Sequence, residues 1–409
     1  MMPRRILYVD LAPAVGGSII SLYQLLQGLD RRRYEPSVVL SAGNGYVSRF
    51  HKLGIQVFAL GEAGGSSAAQ ERVEAVRQSG LVHWLKHSSL GERFVHLVGF
   101  YLREYPLVRR KAAALYGIIR QVEPQLVHLN DVVCVSRPGI LAARRAGVPA
   151  LCHLRALAWR NHFDRWLSHS LQGYICISQA VERHQRRLGG RTSPCWVVYN
   201  GVDLSLFEGL PSRGEVRTAL GFSAEHFIIG CVGRLVPWKG QHVLLRALAE
   251  LAPHYPQLRV LFVGAPEAHS RGYEDELKRL AHELRVASQV SWLGFRDDVP
   301  RLLRGMDLLV HASVAPEPFG RVLIEGMAAG VPVIGTAAGA VPEIIRDGET
   351  GLLVPPGDVQ ALARAILRAL SAPEERALWA QKAREEVAEK FSLSSYVEGV
   401  QRVYERVLS

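Results

Sequence analysis

Cysteine is scarce and unpaired in this chain: Cys134, Cys152, Cys176, Cys195 and Cys231 stand far apart among 409 residues, with no C-x-x-C. That spacing, mostly within apolar stretches, predicts buried thiols in a reducing compartment rather than a disulfide framework. Long apolar runs are missing too. Every run falls well short of the roughly 20 residues a membrane-spanning helix requires. Pro3-Arg4-Arg5 leads into a strand pattern rather than a signal h-region. The expectation is a cytosolic chain with neither export signal nor span. There is no short-period repeat and no low-complexity tract. No D-x-D is present to hold a divalent metal, and the adjacent Asp297-Asp298 in GFRDDVP reads as a cap of the next helix. Acidic residues are thin in the first half. Residues 1–200 carry 26 Lys+Arg against 12 Asp+Glu, a net of +14, while residues 201–409 carry 23 against 26, a net of −3. The first half is therefore expected to meet something anionic: a phospholipid surface, a lipid diphosphate or nucleic acid. No recognised nucleic-acid motif accompanies the charge, which ranks that partner last.

What is present is ample core material. A 48% hydrophobic and 8% aromatic chain of 409 residues has enough for two or three domains. Short β-type runs alternate with helical patterns, the signature of doubly wound parallel sheets. A first block holds RRILYVD, PSVVLSA, IQVFALG, LVHLND, PALCHLRA, GYICIS and CWVVYNG. A second holds FIIGCVG, RVLFVGA, VSWLGF, LLVHAS, PVIGT and GLLVPPG. Asn200 to Asp203 marks the boundary between them, and FSLSSYVEGVQRVYERVL closes the chain as an amphipathic helix.

Two loops gather the chemistry. Glu317 and Glu325 bracket the turn Phe319-Gly320-Arg321 in EPFGRVLIE, between two runs that read as buried parallel strands. A helix starting near Gly320 puts Glu317 in the loop ahead of it and Glu325 within it. The unpaired N–H groups of residues 319–322 would then point outward, as an end that attracts phosphate. The plain structural reading is that Arg321 and Glu325, spaced i,i+4, form a surface ion pair and Glu317 is a loop charge. The second loop is GCVGRLVPWKGQHVLLRAL, where Lys239 is read at the start of a helix. A cation there opposes the helix dipole unless an anion is bound. With Arg234 earlier in the same loop, a planar fork and a point charge could close on a diphosphate. Two solvated loop charges are the structural alternative.

Gly233-Arg234 with Lys239-Gly240, the Glu317–Glu325 pair, and Asn200-Gly201-Val202-Asp203 between the halves together resemble the retaining family 4 glycosyltransferases. The resemblance runs from ILYVDLAPAVGG to the last helix. It implies the GT-B fold, an α/β architecture of two Rossmann-like doubly wound parallel-sheet domains facing a cleft. It assigns residues 1–199, with a returning helix 391–409, to acceptor binding and residues 200–390 to the nucleotide-sugar donor. By the same resemblance Arg234 and Lys239, with the backbone of Phe319, Gly320, Arg321 and Val322, would stabilise the leaving nucleoside diphosphate. Glu325 would bind the ribose hydroxyls, Glu317 the sugar hydroxyls, and the backbone near Phe295 and Arg296 the base. Gly16 and Gly17, after the first strand, would approach the diphosphate and the acceptor, and His153 would stand beside the transferred sugar. A lone strand-end histidine or Gly-Gly turn is more often structural, so these last roles rest on the resemblance. No cofactor is expected beyond the nucleoside-diphosphate sugar as co-substrate, and no metal.

The chain also departs from the pattern. Ser18-Ile19-Ile20 follows the first Gly-Gly where many relatives carry Ala-Glu-Arg, which leaves the acceptor open. Gly339-Ala340 stands where a second glycine is common. Residues 65–120 interleave Trp84, Phe94, Phe100, Tyr101 and Tyr105 with Lys86, Arg93, Arg103 and Arg109 to Lys111, a composition suited to an anionic membrane surface, centred on residues 81–111. Ordinary helices with solvated basic faces are the alternative. The expected activity is transfer of a sugar to a glycan, lipid-linked or small-molecule hydroxyl, in polysaccharide or glycolipid synthesis on the inner membrane face. A nucleotide-sugar epimerase of the same fold and a non-catalytic binding relative are the rivals.

Overall fold

A computed structural model describes residues 2–12, 16–61, 101, 104–188, 193–267 and 270–409. All thirteen apolar runs become strands, and every described ladder is parallel. Contacts divide the chain into two units, residues 1–176, 182–196 and 400–409, and residues 177–181 and 197–399. Residues 177–181, 197–199 and 391–399, read from sequence as parts of the first domain, thus cluster with the second.

The first unit holds β1 (Arg4–Asp10), β2 (Tyr34–Ser41), β3 (Gln56–Leu60), β4 (Leu126–Leu129), β5 (Ala150–Leu154), β6 (Gly173–Cys176) and β7 (Cys195–Val197, whose last residue clusters with the second unit), in the order β3-β2-β1-β4-β5-β6-β7. Ile6, Tyr8, Val38, Leu126, Leu151 and Ile175 are fully buried, as parallel strands covered on both faces require. Tyr404, from the last helix Leu393–Leu408, is seated among Tyr8, Tyr34 and His128. The strand order reverses between β1 and β4.

The second unit holds β8 (Phe227–Val232), β9 (Leu258–Val263), β10 (Val290–Trp292), β11 (Leu308–His311), β12 (Val333–Thr336) and β13 (Leu352–Val354), ordered β10-β9-β8-β11-β12-β13. Ile229 pairs with both Val260 and Leu308, and Leu244, Leu248, Ile366 and Trp379 cover that sheet in one core. Here the order reverses between β8 and β11. In open parallel sheets the crevice beyond the strand ends at such a reversal is where ligands bind. The Arg234–Lys239 loop follows β8 and the Glu317 loop follows β11, so this topology sets the two chemical loops side by side.

Of the membrane-suited segment, Trp84, Lys86, Arg93, Phe94, Phe100 and Arg103 lie outside the described residues. The helix Tyr105–Val122 carries its described part, with Arg109, Arg110 and Lys111 on its first turns. Among the described residues no helix is long and apolar enough to cross a membrane. The cysteines are all free, but only Cys152, Cys176 and Cys231 are buried. Cys134 and Cys195 are half-buried, and Cys195 stands on the strand beside that of Cys176.

Candidate active site

Lys239 does not open an α-helix. It ends a 3-10 turn, Pro237–Lys239, and Gly240 at φ +70° separates that turn from the helix Gln241–Leu251. A Cβ on Gly240 would lie 1.9 Å from the carbonyl oxygen of Ala312, so only glycine permits the β8 loop to close on the end of β11. Val314 N–H donates to the carbonyl of Trp238 at 2.8 Å across the same junction. The Lys239 ammonium lies 4.5 Å from the centre of the Trp238 ring and donates to Glu317 Oε2 at 2.6 Å. The expected unbalanced cation is therefore balanced, by a carboxylate that arrives from β11.

Glu317 is the hub. Its Oε2 also accepts from His311 Nε2 at 3.0 Å and Ser313 Oγ at 3.4 Å. Lys239 and Glu317 are 16% and 11% exposed, so their attraction is little screened. Burial opposes ionisation of Glu317, but the His311 hydrogen bond and the Lys239 charge outweigh it and bring the carboxyl down to about 2. His311 and Ser313 escaped the sequence reading because LLVHAS looks like uninterrupted strand core. A histidine within that run was the only signal.

The helix Arg321–Ala328 begins after Gly320, as the spacing predicts, which leaves the first N–H groups without intrahelical acceptors. Arg321 and Glu325 do form the i,i+4 pair, at 3.1 Å. Burial pushes the Glu325 carboxyl up, against the pull of Arg321. Phe319 is buried against Tyr199 and Phe391. Arg234 is half exposed and engages Glu267 from the loop after β9. That partner lies in no quoted motif, so the sequence reading missed it. Phe295 is 75% exposed beyond β10, while the Arg296 guanidinium takes Asp298 at 2.7 and 2.6 Å. Asp298 thus stands at the N-cap position of Val299–Gly305 but makes no capping bond, contrary to the expected cap role for the Asp297-Asp298 pair, because Arg296 occupies its carboxylate. The structure brings Arg234, Lys239, Glu317, Phe319, Gly320, Arg321, Val322, Glu325, Phe295 and Arg296 into one unit, on loops and helix starts at the strand ends.

Gly16, Gly17 and His153 belong to the first unit. Gly16 caps the helix Gly17–Gly28 in extended backbone, and a Cβ there would meet nothing within 4 Å, so the local fold does not demand glycine. His153 is fully buried in β5 and its Nδ1 lies 3.2 Å from His128 Nε2. His128 Nδ1 in turn meets the Tyr404 hydroxyl at 2.7 Å. Burial, with the Arg155 charge, holds both imidazoles well below the usual range and therefore neutral. Sequence reasoning did not single out the polar cluster beside them. Asn130 donates to Asp10 at 2.7 Å and accepts from Arg155 at 3.0 and 2.6 Å. Burial raises Asp10 and raises Asp131 to about 6.

Two family models match this chain, Glycosyltransferase Family 4 over residues 15–206 and Glycosyl transferases group 1 over residues 212–386. The chain belongs to family 4 of the glycosyltransferases. A D-inositol 3-phosphate glycosyltransferase of Mycobacterium marinum is 36% identical over 216 residues, 52% of this chain and 45% of that relative. Its counterpart in Mycolicibacterium smegmatis is 35% identical over 286 residues, 69% of this chain and 62% of that protein. The matched region thus spans about half the length of the first of these relatives. Among solved structures, Anabaena HepE in complex with UDP-glucose superposes with a TM-score of 0.79 at 26% identity, covering 98% of this family 4 chain and 99% of HepE. The two Rossmann-like units are those of the GT-B fold.

Proposed function

We propose that this family 4 chain transfers a glycosyl group from a nucleoside-diphosphate sugar to an acceptor hydroxyl, with retention of configuration and without a metal ion. The observation that carries the reading is the Lys239–Glu317–His311 cluster at the β8/β11 reversal, beside the open N-terminus of Arg321–Ala328. In this mechanism the C1–O bond to the diphosphate breaks as the acceptor oxygen bonds C1 from the same face, and the hydroxyl proton leaves with the diphosphate. Charge accumulates on the leaving group. Lys239, Arg234 and the N–H groups near Gly320 to Val322 are preorganised donors for that charge, a kind of term that is often the largest in catalysis. For Arg234 this requires exchange of Glu267 for phosphate. Glu317, ionised at any physiological pH, accepts hydrogen bonds from the sugar hydroxyls, and Glu325 from the ribose. His153 belongs to the first unit, where, neutral and held by His128, it is suited to hydrogen bonding rather than to proton transfer. The UDP-glucose bound by HepE supports a UDP-sugar donor. The phosphorylated cyclitol in the mycobacterial names supports a polyhydroxyl acceptor. We further place the acceptor in polysaccharide or glycolipid assembly at the inner membrane face, on the strength of the basic first half.

Thermal unfolding with UDP, GDP, ADP and UDP-glucose in EDTA tests the donor site. A ligand at about 100 times its dissociation constant adds about 2.7 kcal/mol. Selective stabilisation by UDP and UDP-glucose, without metal, is the expected result. Loss of every shift in EDTA that magnesium restores would overturn the metal-free reading.

A further inference from the structure

Residues 177–181 cluster with the second unit although they follow β6 directly. They grip the Glu317 loop from two sides. Ser178 Oγ donates to the carbonyl of Pro318 at 2.7 Å while accepting from Val181 N–H at 3.1 Å. The next two N–H groups, of Gln179 and Ala180, donate to Glu343 Oε2 and Oε1, each at 2.7 Å. Glu343 lies just beyond Gly339 and Ala340, whose backbone runs against Glu317: Glu317 bridges to Gly339, and Ala340 N–H donates to the Glu317 carbonyl at 2.9 Å. Residues 177–181 therefore hold Pro318 directly through Ser178, and the Gly339–Ala340 backbone beside Glu317 through Glu343.

Gln179 opens the helix Gln179–Arg187, and an exposed helix start can satisfy its N–H groups with water or a local side chain. Ser178 already supplies a local cap. Both oxygens of a carboxylate distant in sequence bind the remaining two N–H groups, so Glu343 acts as a brace between segments, with favourable charge at the helix dipole. We infer that Glu343, with Ser178, is a positioning residue of the donor site: it fixes the backbone of Glu317 and Pro318 where the Glu317 carboxylate meets Lys239. The inference rests on the reading that Glu317 contacts the sugar, and it adds that residues 177–181 set how much the sugar moiety contributes to donor affinity.

The test is calorimetric affinity for UDP and for UDP-glucose in wild type, Glu343→Gln, Ser178→Ala, Glu317→Gln and the Glu343→Gln/Glu317→Gln double variant. Both brace variants should keep UDP affinity and lose about tenfold of the preference for UDP-glucose over UDP, the scale of one charge-assisted hydrogen bond. In the Glu317→Gln background the effect of Glu343→Gln should vanish, since the brace acts through that carboxylate. An unchanged preference in folded Glu343→Gln and Ser178→Ala, or an equal loss with and without Glu317, overturns the inference and leaves the donor reading intact. Failure of the wild type to bind either nucleotide overturns both.

Discussion

At the scale of single residues, Lys239 and Glu317 form a unit that serves stability and chemistry together. The Glu317 carboxyl falls from its ordinary 4.5 to about 2 in the fold, which corresponds to roughly 3 kcal/mol near neutral pH. A lowered carboxyl contributes fully above its unfolded value and loses that contribution as pH falls through its folded value. The stabilisation is thus present above pH 4.5 and disappears toward pH 2. Lys239→Ala removes the cation and leaves a buried carboxylate held by His311 and Ser313. The stability gap between this variant and wild type should be widest above pH 4.5 and shrink toward pH 2, as read by denaturant unfolding at neutral and acid pH. Turnover in the folded variant should drop about 10²-fold, because a preorganised charge at the leaving group is lost. Near-normal turnover would remove Lys239 from the leaving-group role. The sequence displayed this lysine and this glutamate but not their bond. The wish of Lys239 for an anion was legible, and the protein's own carboxylate answers it before any phosphate does.

At the scale of elements, the fold was legible because buried parallel strands are continuous apolar runs bounded by Gly, Pro and Asp. The thirteen runs each became a strand, and both reversal points follow from their pairing. Loop-to-loop partners were not legible, since nothing local in GAPE or GAVPE names Arg234 or residues 177–181 as its contact. The Gly339 turn shows what such loops demand. Gly339 sits at φ +64°, and a Cβ there would fall 2.2 Å from the Glu317 carbonyl oxygen. Gly348, at φ +73°, has open space around its missing Cβ. Gly348→Ala should therefore cost only the left-handed backbone penalty, about 1–2 kcal/mol. Gly339→Ala adds a backbone clash that the Glu317 loop must relieve by shifting. Melting temperature and UDP-glucose affinity, measured on both variants, separate the two effects: only Gly339→Ala should weaken UDP-glucose binding. Equal affinity in the two variants would mean that the 339 turn does not hold the Glu317 loop.

At the scale of the whole molecule, the uneven charge is the feature that the donor chemistry does not account for. The net of +14 lies in residues 1–200, whereas the donor-site loops lie in the near-neutral half. Part of that charge stands on the helix Tyr105–Val122, where Arg109 and Arg110 are exposed and Lys111 is half-buried, beside the exposed Tyr101 and Leu107. Exposed arginines next to apolar and aromatic side chains suit an anionic lipid surface, where each basic residue contributes about 1 kcal/mol. An acceptor carried on lipid would give that attraction a purpose. Flotation of the full chain with vesicles of phosphatidylglycerol should recover it at low salt, and vesicles of phosphatidylcholine should not. Raising the salt to about 1 M shrinks the screening length to roughly 3 Å and should release it. Replacing Arg109, Arg110 and Lys111 together by Gln should weaken partitioning about 10²-fold. Binding to neither vesicle would assign the basic half to a soluble anionic acceptor, whereas binding that survives both high salt and the triple replacement would move the contact away from this helix.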